Sequence, residues 1–413
     1  MVKRTLSRSD LWAYLIGSSV YATGGGAAIP SEERFNKIVD DLESRHPLPE
    51  LIQSSEVADD SSVFKHIGAG GGIQADVRAR YPIVPGGDPW YERFVRGFDQ
   101  SDWIRKQVDL FSAKYPMSVW SEVPSPEWAG RGEEELATIT GSAPVANVVG
   151  EIGPNGFYEF ISTARKGIPL VDGDLAGGRA VPELSISIPN IMQVNPCPVV
   201  FTTVWGDLIR VDKVLNFQRL EDITRYLAVS SGGSVGGVYR ISGRDLKRSI
   251  ANATVSKTIK LGHSILDGRK TGDPIQRILD SDSDAVLLFK GKVSLFARKL
   301  ENAFHLGEIR LEGSEEYHGH DLRIWFKNEN HISWFDGKPY VTSPDLISVV
   351  DAESGTGLSN AIEREWQYGR RVAVIGISAN EAWMTERGLK LFSPHHFDFE
   401  IDHKPLKDRA IPF

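Results

Sequence analysis

Residues 150–184, GEIGPNGFYEFISTARKGIPLVDGDLAGGRAVPEL, carry the pattern that decides the fold of the first part of the chain. A glycine-containing turn at 153–156 precedes a run over 157–166 that predicts a helix, and the apolar residues 168–171 predict a short strand. Acidic residues follow the strand directly. In open α/β sheets, ligands bind in the crevice beyond the carboxyl ends of the strands. We therefore expect a binding site in this stretch.

The candidate catalytic residues come from the same stretch. Side chains two apart on a strand point the same way, so Asp172 and Asp174 could face one cleft. Two such carboxylates need a divalent cation such as zinc, a shared proton or the nearby Arg179 between them, because like charges repel. An alternative is that both aspartates cap backbone donors in a turn. The candidates are Glu151, Asp172, Asp174, Arg179 and Glu183.

The bulk composition is that of a globular protein. The 413 residues predict two or three domains, and 41% hydrophobic and 25% charged residues are ordinary values. The net charge of −8 argues against a nucleic-acid or anionic-membrane partner. No apolar run reaches the ~18 residues of a membrane helix, so we expect a cytoplasmic protein. Cys197 is the single cysteine, which excludes an intrachain disulfide.

Three glycine-rich passages interrupt the chain, at 22–28, 66–90 and 231–237. The first follows a helix predicted over Ser9 to Tyr21, with Ser9 or Asp10 as its N-cap. This order of elements, a helix, a glycine loop and a second helix, differs from the strand–loop–helix order of dinucleotide-binding folds. It also differs from a P-loop. The loop either faces a ligand through its backbone N–H groups or is a flexible connection.

The pattern of predicted secondary structure changes near residue 285. Before it, strands are predicted around 138–140 and 146–149, a hairpin through Trp205 and Gly206, and one long helix over 244–266. After it, short alternating segments with turns such as Asp336-Gly337 predict strands. We expect a three-layer α/β/α domain over 1–280 and a β-rich, barrel-like domain over 281–413.

Histidines near the end of the chain are candidate metal ligands. The segment PHHFDFEIDH (394–403) has the alternation of a strand, so His396, Asp398 and Asp402 could share a face. The spacing matches no closed zinc pattern, and solvated histidines at turns are ordinary.

Several of these motifs resemble the S-methyl thiohydantoin desulfurase family. The matching segments are EIGPNG, GIPLVDGD, GGRAVPEL, the glycine loop ATGGG, and FKNEN, VTSPDLISVVDAESG and YGRRVAVIGI in the β-rich part. The glycine loop departs from the family pattern at Ala27, and the passage 66–90 resembles an insertion.

The resemblance implies a hydrolase that cleaves a C–S or C–N bond of a small cyclic amide or thiohydantoin ring with activated water. Asp172 and Asp174 would activate the water, with Glu151 or Glu183 as proton donor. The substrate-binding residues would be Thr23, Gly24, Gly25, Gly26, Asn155 and Gly178. Alternatives are a non-catalytic subunit of a hydantoinase-like system and a lyase or cyclase; a homo-oligomer is also an option.

Overall fold

The computed structural model describes residues 4–70, 128–203, 207–231 and 233–408. Most of the predicted loop over 66–90 lies outside these ranges, as do Trp205 and Gly206. In the described ranges, no helix is both long enough and apolar enough to cross a membrane. The helices are α1 (Arg8–Tyr21), α2 (Glu32–Glu43), α3 (Trp128–Thr140), α4 (Phe157–Lys166), α5 (Ile188–Ile191), α6 (Phe217–Ser230), α7 (Gly243–Ser249), α8 (Thr254–Thr271), α9 (Pro274–Ser281) and α10 (Glu386–Leu391).

The first sheet is mixed. Its strands are β1 (Arg4–Thr5), β2 (Glu50–Ile52), β3 (Ser62–Gly70), β4 (Ala146–Val149), β5 (Leu170–Asp174), β6 (Val199–Thr202), β7 (Leu208–Val211), β8 (Ser234–Ser242) and β9 (Ala251–Asn252). Their order is β1-β2-β5-β4-β3-β8-β6-β7, and β9 pairs with β5. Neighbours from β2 to β3 are parallel, whereas β8 runs antiparallel to β3. The carboxyl ends of β3, β4 and β5 therefore meet at one edge.

The second sheet is antiparallel and curls into a half-barrel. Its order is β14-β13-β12-β11-β10-β16-β15. The strands are β10 (Ala285–Glu301), β11 (Phe304–Gly313), β12 (Asp321–Lys327), β13 (Glu329–Phe335), β14 (Lys338–Thr342), β15 (Leu346–Asp351) and β16 (Arg371–Ile377). The mixed α/β fold with a β-rich second part is thus confirmed, while the three-layer arrangement and the boundary at 280 stay predictions.

Apolar clusters of buried residues join the two sheets. At the tip of the β10–β11 hairpin, Leu300 and Ala303 are buried in the apolar cluster of the first sheet, with Val63 and Val171. On the other side, helices α1 and α8 share a cluster with Ile375 of β16. The glycine loop after α1 is therefore held between the two sheets.

Helices α1 and α8 cross with their backbones almost touching. A Cβ atom added at Gly262 would lie within 2.9 Å of the O, C and Cα atoms of Ala13. One added at Gly17 would lie within 2.8 Å of Thr258 O and Gly262 N. Real Cβ atoms do not approach so closely, so glycine at both positions sets the distance between these helices.

Capping residues in the sequence set the ends of helices α1 and α4. Helix α4 spans the predicted residues and ends at Gly167, whose φ of 67° suits glycine. Helix α1 begins one residue earlier than predicted, because its N-cap is Ser7 and not Ser9 or Asp10. Ser7 Oγ accepts the N–H of Asp10, and the Asp10 carboxylate accepts the N–H of Ser7. This reciprocal pair is a capping box.

Two elements predicted between residues 138 and 266 were wrong. Residues 138–140 belong to helix α3, whose Leu136 packs on Phe64 and Val200 of the first sheet. The long helix predicted over 244–266 is broken into α7 and α8 by strand β9 and by Ala253, whose φ is 60°. Pairing of β9 with β5 overrides helix propensity there. The hairpins β6–β7 and β13–β14 are confirmed.

Candidate functional site

Asp172 lies at the start of helix α8. Its Oδ1 accepts the Ser256 N–H at 2.9 Å, and its Oδ2 accepts the Ser256 hydroxyl at 2.6 Å. The backbone carbonyl of Asp172 also accepts the N–H of Ala253 at 2.8 Å. A carboxylate at a helix N-terminus is stabilised by the free N–H groups and by the helix dipole. Asp172 thus fixes the position of α8 against β5.

Asp174 holds the turn that follows β5. Its two oxygens accept the N–H groups of Ala176 at 2.8 Å and Gly178 at 2.7 Å. Gly178 has a φ of 80°, a conformation that favours glycine. Burial raises the pKa of Asp174 to about 7.

The aspartate oxygens do not form a site for a divalent cation. Each of the four oxygens of Asp172 and Asp174 faces an N–H or O–H donor. Among the described residues, no group of three or more His, Cys, Asp or Glu side chains is placed to hold a metal ion. The arrangement corresponds to the alternative in which both aspartates cap backbone donors.

Arg179, at the end of that turn, is completely buried. Its Nη1 donates to Pro344 O, and its guanidinium carbon lies 4.5 Å from the centre of the Phe392 ring. Burial lowers the pKa of Arg179 to about 10, and the carboxylates of Glu329 and Glu151 counteract this effect. Arg179 therefore stays charged at neutral pH and links the first sheet to the second.

Glu151 follows β4 and joins two turns. Its Oε1 accepts the side-chain amide of Asn155 at 2.7 Å, and its Oε2 accepts the Val181 N–H at 2.8 Å. The backbone N–H of Ile152 donates to Arg179 O at 3.0 Å. Burial raises the pKa of Glu151. The predicted turn at 153–156 and the turn carrying Arg179 are therefore one connected unit.

The glycine loop is packed against side chains of the second sheet. A Cβ atom at Gly25 would lie within 2.7 Å of Cγ, Cδ and Oε1 of Glu329. One at Gly24 would lie within 3.0 Å of the amide group of Asn360. The carbonyl of Gly24 accepts the N–H of Asn360 at 2.8 Å, and that of Gly26 accepts the N–H of Asn155 at 2.9 Å. Glycine is needed here because other groups approach the backbone closely.

Buried polar atoms without a partner gather around this loop. Among the described residues, the buried side-chain atoms without a hydrogen-bond partner include five in the loop or in residues around it: Thr23 Oγ1, Asn155 Oδ1, Arg179 Nη2, Glu329 Oε2 and Asn360 Oδ1. Buried polar atoms normally find a partner, because leaving one unpaired costs about 1–3 kcal/mol. The five atoms include donors and acceptors. A small polar ligand that presents both would satisfy them.

Comparisons with known proteins identify the family of this chain. The family model described as the S-Me-THD-like N-terminal domain matches residues 117–213, and that of the C-terminal domain matches residues 215–406. The chain belongs to the S-Me-THD-like family. The resemblance to S-methyl thiohydantoin desulfurases is thereby confirmed at the level of the family.

A solved structure shares the fold of this S-Me-THD-like protein. It is the crystal structure of a protein from Chromobacterium violaceum, similar with a TM-score of 0.69 and 19% sequence identity. The similarity covers 98% of this chain and 100% of the other. Among curated proteins, none matches the chain.

Sequence reasoning missed two residues that the S-Me-THD-like fold brings to the glycine loop. Glu329 is 2% exposed, and its burial together with the charge of Glu151 raises its pKa well above the usual range. Asn360 is fully buried and donates to Asn328 O at 2.8 Å. The only local signal for Glu329 was the segment FKNEN (326–330), which places a carboxyl group between two amides at the turn from β12 to β13.

Glu183 belongs to a different network. It accepts hydrogen bonds from Lys327 at 2.6 Å and His396 at 3.1 Å. Burial alone would raise its pKa, but the hydrogen bond from His396 and the charge of Lys327 lower it strongly. The strand predicted over 394–403 is wrong. Residues Pro394–Phe397 form a 3₁₀ turn, in which Pro394 and Phe397 are buried.

Proposed function

We propose that this protein is a hydrolase that acts on a small cyclic amide or thiohydantoin-type ring and cleaves a C–S or C–N bond with activated water. The observation that carries the proposal is the set of five unpaired buried polar atoms around residues 23–26. A cyclic amide presents an N–H donor and a carbonyl acceptor side by side. It can therefore pair with both the donors and the acceptors of this set.

The charges around the loop suit the chemistry of such a ring. Attack on the ring carbon moves negative charge to the carbonyl oxygen, and the guanidinium of Arg179 would stabilise that charge. A carboxyl group whose pKa is raised holds its proton more readily than an ordinary carboxyl group and can give that proton to the leaving group. Glu151 and Glu329 meet this requirement, whereas the lowered pKa of Glu183 disfavours it as the donor.

Asp172 and Asp174 receive a positioning role in this proposal. Because their oxygens already accept hydrogen bonds from Ser256, Ala176 and Gly178, they hold the helix and the turn that carry the site. They remain necessary for activity, but through the placement of Arg179 and not through contact with water.

A second candidate is a subunit that binds the ring without converting it. Engagement of all four aspartate oxygens favours this alternative, because Asp172 and Asp174 then have no free oxygen with which to activate water. A lyase or cyclase acting on the same ring would be distinguished by its product.

The test offers the purified protein a panel of thiohydantoins, hydantoins and cyclic imides. Mass spectrometry detects products, and ligand-induced thermal shift detects binding. We expect an open-chain or desulfurised product, and a loss of about 10²–10³ in kcat for Arg179→Ala. The matched control is Asp282→Asn, which alters a buried carboxylate that accepts a hydrogen bond from the Tyr21 hydroxyl. Binding without any product would establish the second candidate instead.

A further inference from the structure

Lys65 occupies an unusual position in the first sheet. It lies in β3, opposite Val148 of β4. Strand alternation places it on the same face as Val63 and Ile67, which belong to the apolar cluster of the first sheet. Lys65 is half-buried on this apolar face, whereas most lysine side chains are exposed to solvent.

Gly150 provides the space for the Lys65 side chain. A Cβ atom at Gly150 would lie within 2.9 Å of both Cε and Nζ of Lys65. The ammonium group is thereby directed to the carboxyl end of β4, one residue before Glu151. On the neighbouring strand β8, the ring centre of Tyr239 lies 5.7 Å from Nζ. Lys65 therefore reaches the same edge of the sheet as the candidate site.

The surroundings of Lys65 favour exchange of a proton. Burial lowers the pKa of Lys65 to about 8, and the carboxylates of Glu151, Glu159 and Glu221 offset part of this effect. No described residue accepts a hydrogen bond from Nζ. His66, on the opposite face, shows the contrast: although burial alone would lower its pKa, its contacts with Glu133 and Glu159 raise it to about 9.

We propose that Lys65 is the proton-accepting residue of this site, its Nζ taking a proton from the water that attacks the ring. This assignment rests on the proposed hydrolase function. The negative charges of Glu159 and Glu221, which act on Lys65, would repel an anionic group, so Lys65 is poorly placed to bind an anion. A basic amine beside an acidic carboxyl group is the arrangement that general acid–base catalysis uses.

The proton and electron balance of the step is simple. The O–H bond of water breaks, its proton joins the amine as an ammonium hydrogen, and its oxygen forms a bond to the ring carbon. The electron pair of the C–S or C–N bond leaves with sulfur or nitrogen, which takes the carboxyl proton of Glu151. Return of the extra proton from Nζ to the Glu151 carboxylate restores both groups.

The test replaces Lys65 and supplies the amine from solution. We expect Lys65→Ala to lower kcat by about 10²–10⁴, the range of general-base contributions. Added small primary amines should restore part of the rate, more strongly with increasing amine basicity. Gly150→Ala, which displaces the amine without removing it, should lower kcat and remain insensitive to added amines. The control is Lys257→Ala, a lysine paired with Asp282.

A second readout is independent of turnover. The pH dependence of Lys65 modification by an amine-reactive reagent should have its midpoint near 8 in the wild-type protein. If wild-type protein converts a ring but Lys65→Ala keeps its kcat, or gains nothing from amines, the assignment of Lys65 is wrong. If the wild-type protein converts no ring, the hydrolase proposal fails, and the assignment fails with it.

Discussion

Replacement of Gly25 by alanine tests the contact between the glycine loop and the second sheet. The added methyl group would overlap the carboxyl end of Glu329, whose Cγ, Cδ and Oε1 lie within 2.7 Å of the ideal Cβ position. Gly25 is outside the positive-φ region, so alanine adds no backbone strain. Glu329 is buried and close to Arg179, so its carboxyl group cannot simply move into solvent.

The expected magnitude follows from two opposing effects. Overpacking in a closed site costs about 1–3 kcal/mol. Alanine also restricts the unfolded chain more than glycine does, which stabilises the protein by about 0.4–1 kcal/mol. We expect Gly25→Ala to lower the free energy of unfolding by about 1–2 kcal/mol. In a Glu329→Ala background the methyl group fits, and the same substitution should be neutral or slightly stabilising.

The assay is a double-mutant cycle on the free energy of unfolding in urea. We expect a coupling energy of about 1–3 kcal/mol between Gly25→Ala and Glu329→Ala. Gly132→Ala is the control, because its nearest neighbour lies 3.5 Å away and alanine favours the helix. An equal cost of Gly25→Ala in both backgrounds would refute the close contact between loop and sheet.

Three further predictions concern stability, each measured as the free energy of unfolding. Gly262→Ala should cost about 3 kcal/mol or more, since backbone atoms of Ala13 cannot move aside; a cost below 1 kcal/mol would contradict the helix crossing. His66→Gln should cost more at pH 6 than at pH 10, because the pKa raised to about 9 gives stability that is complete below 6.5 and lost as the pH rises through 9. A pH-independent cost would exclude the charged contacts with Glu133. Asp174→Asn should cost more at pH 5 than at pH 8, because a carboxyl group whose pKa rises from 3.8 to about 7 destabilises the fold as the pH rises across that window, by at most about 4 kcal/mol. The same cost at both values would show that this carboxyl titrates normally.

Local signals predicted much of the secondary structure. Helix α4 has an amphipathic run, and Gly167 ends it, so sequence alone gives its limits. A strand was predicted over 138–140, but these residues belong to helix α3. Residues that favour strands form one face of this helix and pack against Phe64. The break between α7 and α8 depends on pairing of β9 with β5, a contact between segments far apart in sequence.

The candidate site, too, was predicted in part from local sequence and in part depends on tertiary contacts. The sequence by itself identified residues 150–184 and the glycine loop, because acidic strand ends and glycine runs are local patterns. It did not reveal that Asp172 and Asp174 hold backbone donors, nor that Glu329 and Asn360 reach the loop. These facts arise from contacts between residues far apart in the sequence, such as Gly24 and Asn360. Only tertiary structure fixes such contacts, because burial and partner placement depend on how the two sheets pack together.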